Sequence, residues 1–179
     1  MNRWSLLVSL LVLVSSSLTA LAQAPAPAPD PAAPWQPLIT DGLRDAAGGR
    51  VELAALEGKI VGLYFSAHWC PPCRAFSPKL VEFRNAHQKD FEVVFVSSDR
   101  SEEDQFTYMK EVNMPWPVVP YKSQPVQDLK GKYGIRSIPT LIICSPKGKV
   151  ITSEGRQEVS DAPDACIARW QEKAAELDR

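Results

Sequence analysis

The chain has 179 residues, of which 45% are hydrophobic, and its 20 basic and 21 acidic residues give a net charge of −1. This length and apolar content predict one domain with a core of its own. The balanced charge, without a long run of one sign, gives no indication of a nucleic-acid partner or of binding to a charged membrane surface.

The first 22 residues have the pattern of a secretory signal peptide. Arg3 precedes an apolar run from Leu6 to Val14, and Ala20 and Ala22 form an Ala-x-Ala cleavage site. The run is shorter than the about 20 residues that a membrane-spanning helix needs, which favours a cleaved signal peptide. The alternative to cleavage is that the segment remains as an uncleaved anchor. We therefore expect an exported protein, periplasmic or secreted, whose mature chain has no membrane span and can keep disulfides.

Residues 23–37 form a predicted linker. They carry prolines at positions 25, 27, 29, 31, 34 and 37, mostly alternating with alanine. Such a run favours extended polyproline II geometry, has few backbone donors and buries little. The composition therefore places the folded domain at residues 38–179.

Several segments of this domain have strand character. Ile60–Ser66 and Phe91–Val96 are continuous apolar runs, which are typical of central strands covered on both faces. Leu141–Cys144 is a third strand, and Lys149–Thr152 follows a Pro-Lys-Gly turn and predicts its hairpin partner. A short alternating segment at 51–53 predicts a further strand at the start of the domain.

Helical spacing of apolar residues alternates with these strands. It follows Cys73, begins again at a capping-box-like sequence at Ser101, recurs over Pro125–Tyr133 and closes the chain after Asp161. The predicted inward residues of the second helix are Phe106, Met109 and Val112. Those of the last helix are Cys166, Ile167, Trp170, Ala174 and Leu177. The alternation predicts an α/β fold, with a central sheet covered by helices on both faces.

Cys70 and Cys73 lie between the predicted strand that ends at Ser66 and the helix that follows. A Cys-x-x-Cys pair at such a junction suits thiol–disulfide exchange, because the unpaired N–H groups at a helix N-terminus favour the attacking thiolate. Cys70 precedes the helix and is the predicted exposed nucleophile. Cys73, one turn into the helix, is predicted to be more buried and to resolve the mixed disulfide.

Two other interpretations of the pair are a fixed structural disulfide and a metal site. A two-residue spacing closes a loop too small to add much stability, and zinc usually takes four ligands, for which the chain has no second paired set. The preferred function is disulfide exchange with protein thiols and an upstream redox partner, by a monomer that needs no cofactor or metal. The alternative is a non-catalytic binding module or metallochaperone.

Three parts of the chain resemble the tryparedoxin and nucleoredoxin branch of the thioredoxin superfamily. Tyr64–Cys73 reads Tyr-Phe-Ser-Ala-His-Trp-Cys-Pro-Pro-Cys, Phe91–Asp99 is followed by Met114–Trp116, and Tyr133–Leu141 is similar to the segment that carries a cis-proline loop. The resemblance covers roughly residues 60–152. It implies a thioredoxin fold with a mixed central sheet.

The resemblance also implies roles for individual residues. Cys70 and Cys73 are the redox pair, and Trp69 flanks them as a binding surface. Pro139 is cis and brings the Ile138 backbone opposite Cys70, where it can pair with a substrate's extended chain. The branch favours the reductase direction, with an oxidase, an isomerase or service to cytochrome maturation as alternatives.

Four residues around this pattern have open roles. Tyr64 stands where many thioredoxins carry a buried acid, which leaves the proton acceptor for Cys73 unassigned. His68 is either an exposed polar residue at the strand end or a cation that favours the Cys70 thiolate. Cys144 and Cys166 are expected to be buried free thiols, with a disulfide between them as the alternative.

Overall fold

The computed structural model of the protein describes residues 34–179. Its elements in chain order are β1 (Leu43–Arg44), β2 (Arg50–Val51), a short 3₁₀ turn (Leu53–Leu56), β3 (Ile60–Ser66), α1 (Pro71–Ala86), β4 (Phe91–Ser97), α2 (Glu102–Glu111), α3 (Gln124–Lys132), β5 (Thr140–Cys144), β6 (Val150–Thr152), α4 (Gly155–Asp161) and α5 (Pro163–Leu177).

The central sheet has four strands in the order β4-β3-β5-β6. β3 runs parallel to β4, with Tyr64 opposite Phe95, and antiparallel to β5, with Tyr64 opposite Leu141. β6 returns antiparallel to β5 as the predicted hairpin. The parallel pair requires the α1 crossover, and its buried strands have the continuous apolar sequence of central strands. The predicted mixed sheet is therefore confirmed.

Two hydrophobic clusters cover the two faces of this sheet, because successive side chains of a strand point to opposite sides. Tyr64 belongs to one cluster, whereas its neighbours Leu63 and Phe65 belong to the other. The first cluster takes residues from α1, α2, α4 and α5, and the second takes residues from α3 and from the chain before β3. The predicted α/β fold with helices on both faces is confirmed.

The local sequence explains where α1 begins. Cys70 is its N-cap, and two prolines occupy the first helical positions, where a missing N–H costs nothing. Phe76, Leu80 and Phe83 form its buried face, and Pro78 lies within the helix. This arrangement places both cysteines just beyond the C-terminal end of the central strand β3.

The structure differs from the sequence expectations in several elements. β1 pairs with β2 through Leu43 and Val51, although the sequence indicated only the second of these strands. α4 precedes the last helix, and Leu177 of α5 is exposed instead of buried. Gln105 and Tyr108 are fully buried on α2, whereas Phe106 and Val112 are only half-buried.

The beginning of the packed domain also differs from the sequence expectation. Trp35 is fully buried in the second cluster, together with Ile39, although the predicted boundary fell at Leu38. The predicted signal peptide at 1–22 and most of the linker at 23–37 lie outside the described residues. In residues 34–179, no helix combines the length and the apolar character needed to cross a membrane.

Candidate active site

Cys70 and Cys73 form a disulfide across the first turn of α1, with their Cα atoms 5.2 Å apart. The backbone N–H of Cys73 donates a hydrogen bond to Cys70 Sγ at 3.3 Å, which is the N-cap contact of the helix. Cys70 is 3% exposed and Cys73 is fully buried. Cys70 is therefore not the exposed residue that the sequence predicted, because the surrounding loops cover it, but it is the more accessible of the two sulfurs.

The loop before β5 forms the opposite wall of the site. The Ile138–Pro139 peptide bond is cis, and Cys70 Sγ lies 3.8 Å from the carbonyl oxygen of Ile138. Ile138 packs against a small cluster made by Ala67 and the two cysteines. The structure thus brings together Cys70 and Ile138, which are far apart in sequence.

Trp69 is the exposed aromatic residue of the site, with 52% of its surface accessible. Its indole N–H donates to the carbonyl oxygen of Ser98, the residue that follows β4, at 3.0 Å. This hydrogen bond fixes the orientation of the ring. The Arg100 guanidinium lies 6.0 Å from the centre of the ring. An exposed, oriented tryptophan beside a disulfide can serve as a binding surface.

A shallow groove of about 250 Å³ starts at Trp69 and runs along the cis-proline loop. We call it the Trp69 groove; it is lined by Trp69, Ser98, Lys130, Ile135, Arg136, Ser137 and Ile138. Ile138 lines the groove and also packs against the cysteine cluster, so the groove borders the surroundings of Cys70.

A chain of four buried hydroxyl groups leads to the backbone of Cys73. Tyr64 Oη donates to the Cys73 carbonyl oxygen at 3.4 Å and lies 2.8 Å from Ser77 Oγ. Ser77 Oγ lies 2.6 Å from Tyr108 Oη, which lies 3.3 Å from Ser66 Oγ. The carbonyl can only accept and each hydroxyl has one proton, so the donors point in order from Ser66 to Cys73.

This chain gives Tyr64 a positioning role. Burial, reinforced by the neighbouring Tyr108, raises the pKa of Tyr64 above its ordinary value of 10.0. The hydroxyl therefore stays protonated near neutral pH and cannot take a proton from Cys73. It holds the carbonyl of Cys73 in place instead.

His68 and Asp99 hold the loop that carries Trp69. The His68 backbone N–H donates to Asp99 Oδ1 at 2.7 Å, and the Ser97 hydroxyl donates to Asp99 Oδ2 at 2.8 Å. The His68 ring stacks on Tyr108, and its Nε2 lies 2.8 Å from Glu111 Oε2. The ring is half-buried and partnered by Glu111, so it is not the exposed polar residue that one of the two interpretations expected.

Two titratable groups next to this loop have shifted pKa values. Burial raises the pKa of the Asp99 carboxyl above its ordinary value, and the hydrogen bonds from His68 and Ser97 offset this only in part. Burial also lowers the pKa of Lys130, whose ammonium group donates to the Ser97 carbonyl oxygen at 3.3 Å. Both groups lie where charge is poorly hydrated.

Cys144 and Cys166 are buried free thiols, as expected. They belong to different clusters, on opposite faces of the sheet, so the alternative of a disulfide between them is excluded. Burial raises the pKa of each to about 11, which keeps them as inert thiols.

Sequence reasoning missed several residues of the site. Ser77 and Tyr108 looked like ordinary helix residues, and only their contact with Tyr64 reveals them. Lys130 and Arg136 enter the groove from α3 and from the loop after it. Asp99 and Arg136 were inside the recognised segments, and this was the only signal available for them.

The fold and the site together define a thioredoxin-like protein. This class combines a mixed sheet with a Cys-x-x-Cys disulfide at the N-terminus of α1 and a cis-proline loop across from it. Residues 58–150 match the family model described as thioredoxin-like. Nucleoredoxin from Bos taurus is 45% identical over 145 residues, which cover 78% of this chain and 33% of that protein. Tryparedoxin from Trypanosoma brucei brucei is 44% identical over 126 residues, which cover 68% of this chain and 86% of that protein.

Solved structures agree with the sequence comparisons. Tryparedoxin II from C. fasciculata superposes with a TM-score of 0.70 at 34% identity, covering 76% of this chain and 92% of that one. Thioredoxin from Wuchereria bancrofti gives a TM-score of 0.65 at 44% identity, covering 75% of this chain and 96% of that one. The chain belongs to the tryparedoxin and nucleoredoxin branch of the thioredoxin-like family.

The comparisons also correct one expectation. The apolar segment at 1–22 led us to expect an exported, periplasmic or secreted protein. This expectation is wrong, because the relatives that the chain matches are nucleoredoxins and tryparedoxins, which are intracellular proteins. The chain spans 33% of the length of the mammalian nucleoredoxins that it matches.

Proposed function

We propose that this protein exchanges disulfides with protein partners through Cys70 and Cys73, and that it works as a reductase. The observation that carries the proposal is the position of the pair. Cys70 caps α1, accepts the Cys73 N–H and lies 3.8 Å from the Ile138 carbonyl oxygen. A sulfur in this position is stabilised as a thiolate when reduced, and it lies beside Ile138, which lines the Trp69 groove.

The first step uses the reduced pair. The Cys70 thiolate attacks one sulfur of a partner's disulfide and forms a mixed disulfide, and the partner's other sulfur leaves as a thiolate that takes a proton from water. The Cys73 N–H and the helix N-terminus favour the attacking anion before the bond forms. Trp69, Ile138 and Pro139 position the partner's chain, with the Ile138 backbone group facing the reacting sulfur.

The second step closes the pair. Cys73, deprotonated, attacks the Cys70 sulfur, and the partner leaves with its second sulfur as a thiolate. The partner has then gained two electrons, and the protein holds the Cys70–Cys73 disulfide seen in the structure. An upstream dithiol partner restores the reduced pair by the reverse exchange. The electrons travel on the sulfurs, so the proposal needs no cofactor, and it assigns the work to a monomer.

The direct test is insulin reduction with a dithiol as electron source. Cys70→Ser removes the attacking sulfur and is expected to lower the rate at least a hundredfold, to the uncatalysed level. Cys144→Ser and Cys166→Ser are matched controls, since both thiols are buried away from the site, and they are expected to keep the wild-type rate per folded molecule. Equal activity of the wild type and Cys70→Ser would favour a binding module instead.

A second variant separates the two roles. Cys73→Ser leaves the nucleophile but removes the resolving sulfur, so a partner is expected to stay bound to Cys70 as a mixed disulfide that reducing agents release. Mass spectrometry of the insulin adduct identifies the linked cysteine. An adduct on Cys144 or Cys166, or none at all, contradicts the assignment.

The direction of electron flow follows from the reduction potential of the pair. Because the chain belongs to the tryparedoxin and nucleoredoxin branch, equilibration with glutathione buffers is expected to give a potential near that of reducing thioredoxins, about −270 mV. A difference of 30 mV corresponds to about 1.4 kcal/mol between dithiol and disulfide. A potential near −120 mV, as in strong oxidants, would overturn the reductase direction.

A further inference from the structure

The Trp69 groove carries a charge of one sign. Lys130 and Arg136 are among its lining residues, and no carboxylate is. A third cation, Arg100, lies over the Trp69 ring, and Arg74 is exposed directly after Cys73. The opening to the cysteine pair is thus positive although the whole chain is nearly neutral.

The two lining cations lack a carboxylate in direct contact, although the charge of Asp99 acts on Lys130 from a distance. Within the described part of the chain, neither Lys130 nor Arg136 forms a salt bridge. Arg136 also borders the neighbouring cavity, which Glu154 lines, but it forms no salt bridge with that carboxylate. Since unpaired cations on a half-enclosed surface attract anions, the groove is complementary to negative charge.

The nearby carboxylates are already occupied. Both oxygens of Asp99 accept hydrogen bonds, from His68 and Ser97, and only 7% of its surface is exposed. Glu111 pairs with the His68 ring. Neither acid lines the groove. Asp99 offsets part of the Lys130 charge, and no carboxylate of the groove lining offsets that of Arg136.

The rest of the groove suits a peptide. Trp69, Ile135 and Ile138 supply apolar surface, and the Ile138 carbonyl oxygen beside Cys70 marks where a reacting cysteine lies. Burial has removed part of the water around the Lys130 ammonium, which an anionic side chain would replace as a partner. A peptide segment that has apolar residues and an acidic residue close to its cysteine therefore matches both the apolar and the cationic lining residues of the groove.

We propose that the Trp69 groove selects partner proteins whose reactive cysteine has an acidic residue nearby in sequence, and that Lys130 and Arg136 make this selection. The inference rests on the proposed function and adds the chemistry of the partner to it. It concerns recognition only, so the exchange steps above are unchanged.

The test compares two peptides that differ only in charge. One has the sequence pattern Glu-x-Cys-x-Glu and the other Gln-x-Cys-x-Gln, and each cysteine carries a neutral 2-thiopyridyl group in disulfide linkage. Pre-reduced full-length protein attacks the peptide sulfur, thiopyridone leaves, and Cys73 then releases the peptide thiol. Stopped-flow absorbance gives the second-order rate constant. The acidic peptide is expected to react about threefold to tenfold faster at low salt, and the difference is expected to shrink at high salt.

Variants locate the effect. Lys130→Gln combined with Arg136→Gln is expected to abolish the preference, so that this variant reacts with the Glu and Gln peptides at equal rates, and the ratio of the two rates is the readout. The matched control combines Lys79→Gln with Lys132→Gln, which removes the same charge from exposed positions on α1 and α3 outside the groove, and it is expected to keep the preference. Arg136→Gln alone, at an exposed residue, is expected to lower the preference about twofold, which covers the case that the double variant is unstable.

The outcomes separate this inference from the proposed function. Equal rates on both peptides, or a preference that survives the groove variants, overturn the selection by Lys130 and Arg136 while the exchange activity stands. Failure to react with either peptide, together with failure to reduce insulin, overturns the proposed function and this inference with it.

Discussion

Hydrogen bonds and burial determine what each residue around the cysteines can do. Tyr64 lies where many thioredoxins carry a buried acid, but its raised pKa keeps the hydroxyl neutral. The hydroxyl donates a hydrogen bond that holds the Cys73 carbonyl in position. The Asp99 carboxylate accepts a hydrogen bond from the His68 backbone N–H and so holds the loop that carries Trp69. Small polar groups therefore fix the backbone on both sides of the disulfide.

The buried carboxyl of Asp99 predicts a pH dependence of stability. Its folded-state pKa is raised above the ordinary 3.8, so the ionised form lowers the free energy of unfolding at neutral pH. This cost is relieved as the pH falls through the folded-state pKa, and fully so below 3.8. The free energy of unfolding of Asp99→Asn minus that of the wild type is therefore expected to fall between pH 7 and pH ~3.5.

Urea unfolding at a series of pH values measures this difference. Asp90→Asn, which removes one exposed carboxylate before β4, is the control and is expected to give a smaller slope. A difference for Asp99→Asn that is constant with pH, whatever its size, contradicts the assignment of the cost to burial of the charge.

At the scale of elements, close backbone approaches determine how helices meet the sheet. Gly155 begins α4 directly against β5, and a Cβ added there would lie 2.7 Å from Ile143 Cγ1 and 2.8 Å from the Leu141 carbonyl oxygen. Gly131 lies inside α3 with nothing within 4 Å of such an added atom. One glycine is required by contact, and the other only leaves the chain more flexible.

This contrast gives opposite predictions for the same substitution. Gly155→Ala is expected to lower the free energy of unfolding by about 1–3 kcal/mol, because the backbone of β5 cannot move away. Gly131→Ala is expected to raise it by about 0.5–1 kcal/mol, because alanine favours the helix and restricts the unfolded chain. Urea unfolding of both variants decides the point, and a stabilised Gly155→Ala would show that α4 can shift.

The whole molecule depends on residues that precede the sheet. Trp35, Ile39 and Leu43 are fully or almost fully buried in the cluster that covers the face of α3. β1 also reaches Val118, which bridges Arg44 and Phe95. The segment from Trp35 onward is therefore part of the core and not a spacer.

Two tryptophans separate stability from binding at this scale. Trp35→Ala is expected to lower the free energy of unfolding by about 3–5 kcal/mol, because it empties a large buried volume. Trp69→Ala, at a residue 52% exposed, is expected to cost about 1 kcal/mol or less while slowing insulin reduction. Thermal unfolding and the insulin assay, done on both variants, test this, and equal losses of stability would contradict it.

The sequence by itself determined what depends on neighbouring residues. The bounds of β3, the start of α2 at its Ser101 cap and the cysteine pair before α1 follow from periodicity, capping and strand composition, which act over a few residues. The resemblance supplied the cis Pro139 and its position across from Cys70, which spacing alone could not give.

Only the tertiary structure decided which distant groups meet. Ser77 and Tyr108 are 31 residues apart, yet they share a 2.6 Å hydrogen bond beneath the cysteines. Cys144 and Cys166 both lie in apolar segments and were both predicted to be buried, but they occupy opposite faces of the sheet. The groove joins Trp69, Lys130 and Ile138 from three segments. Such contacts depend on how helices rotate and settle on the sheet to fill its two faces, and that packing is a property of the whole chain.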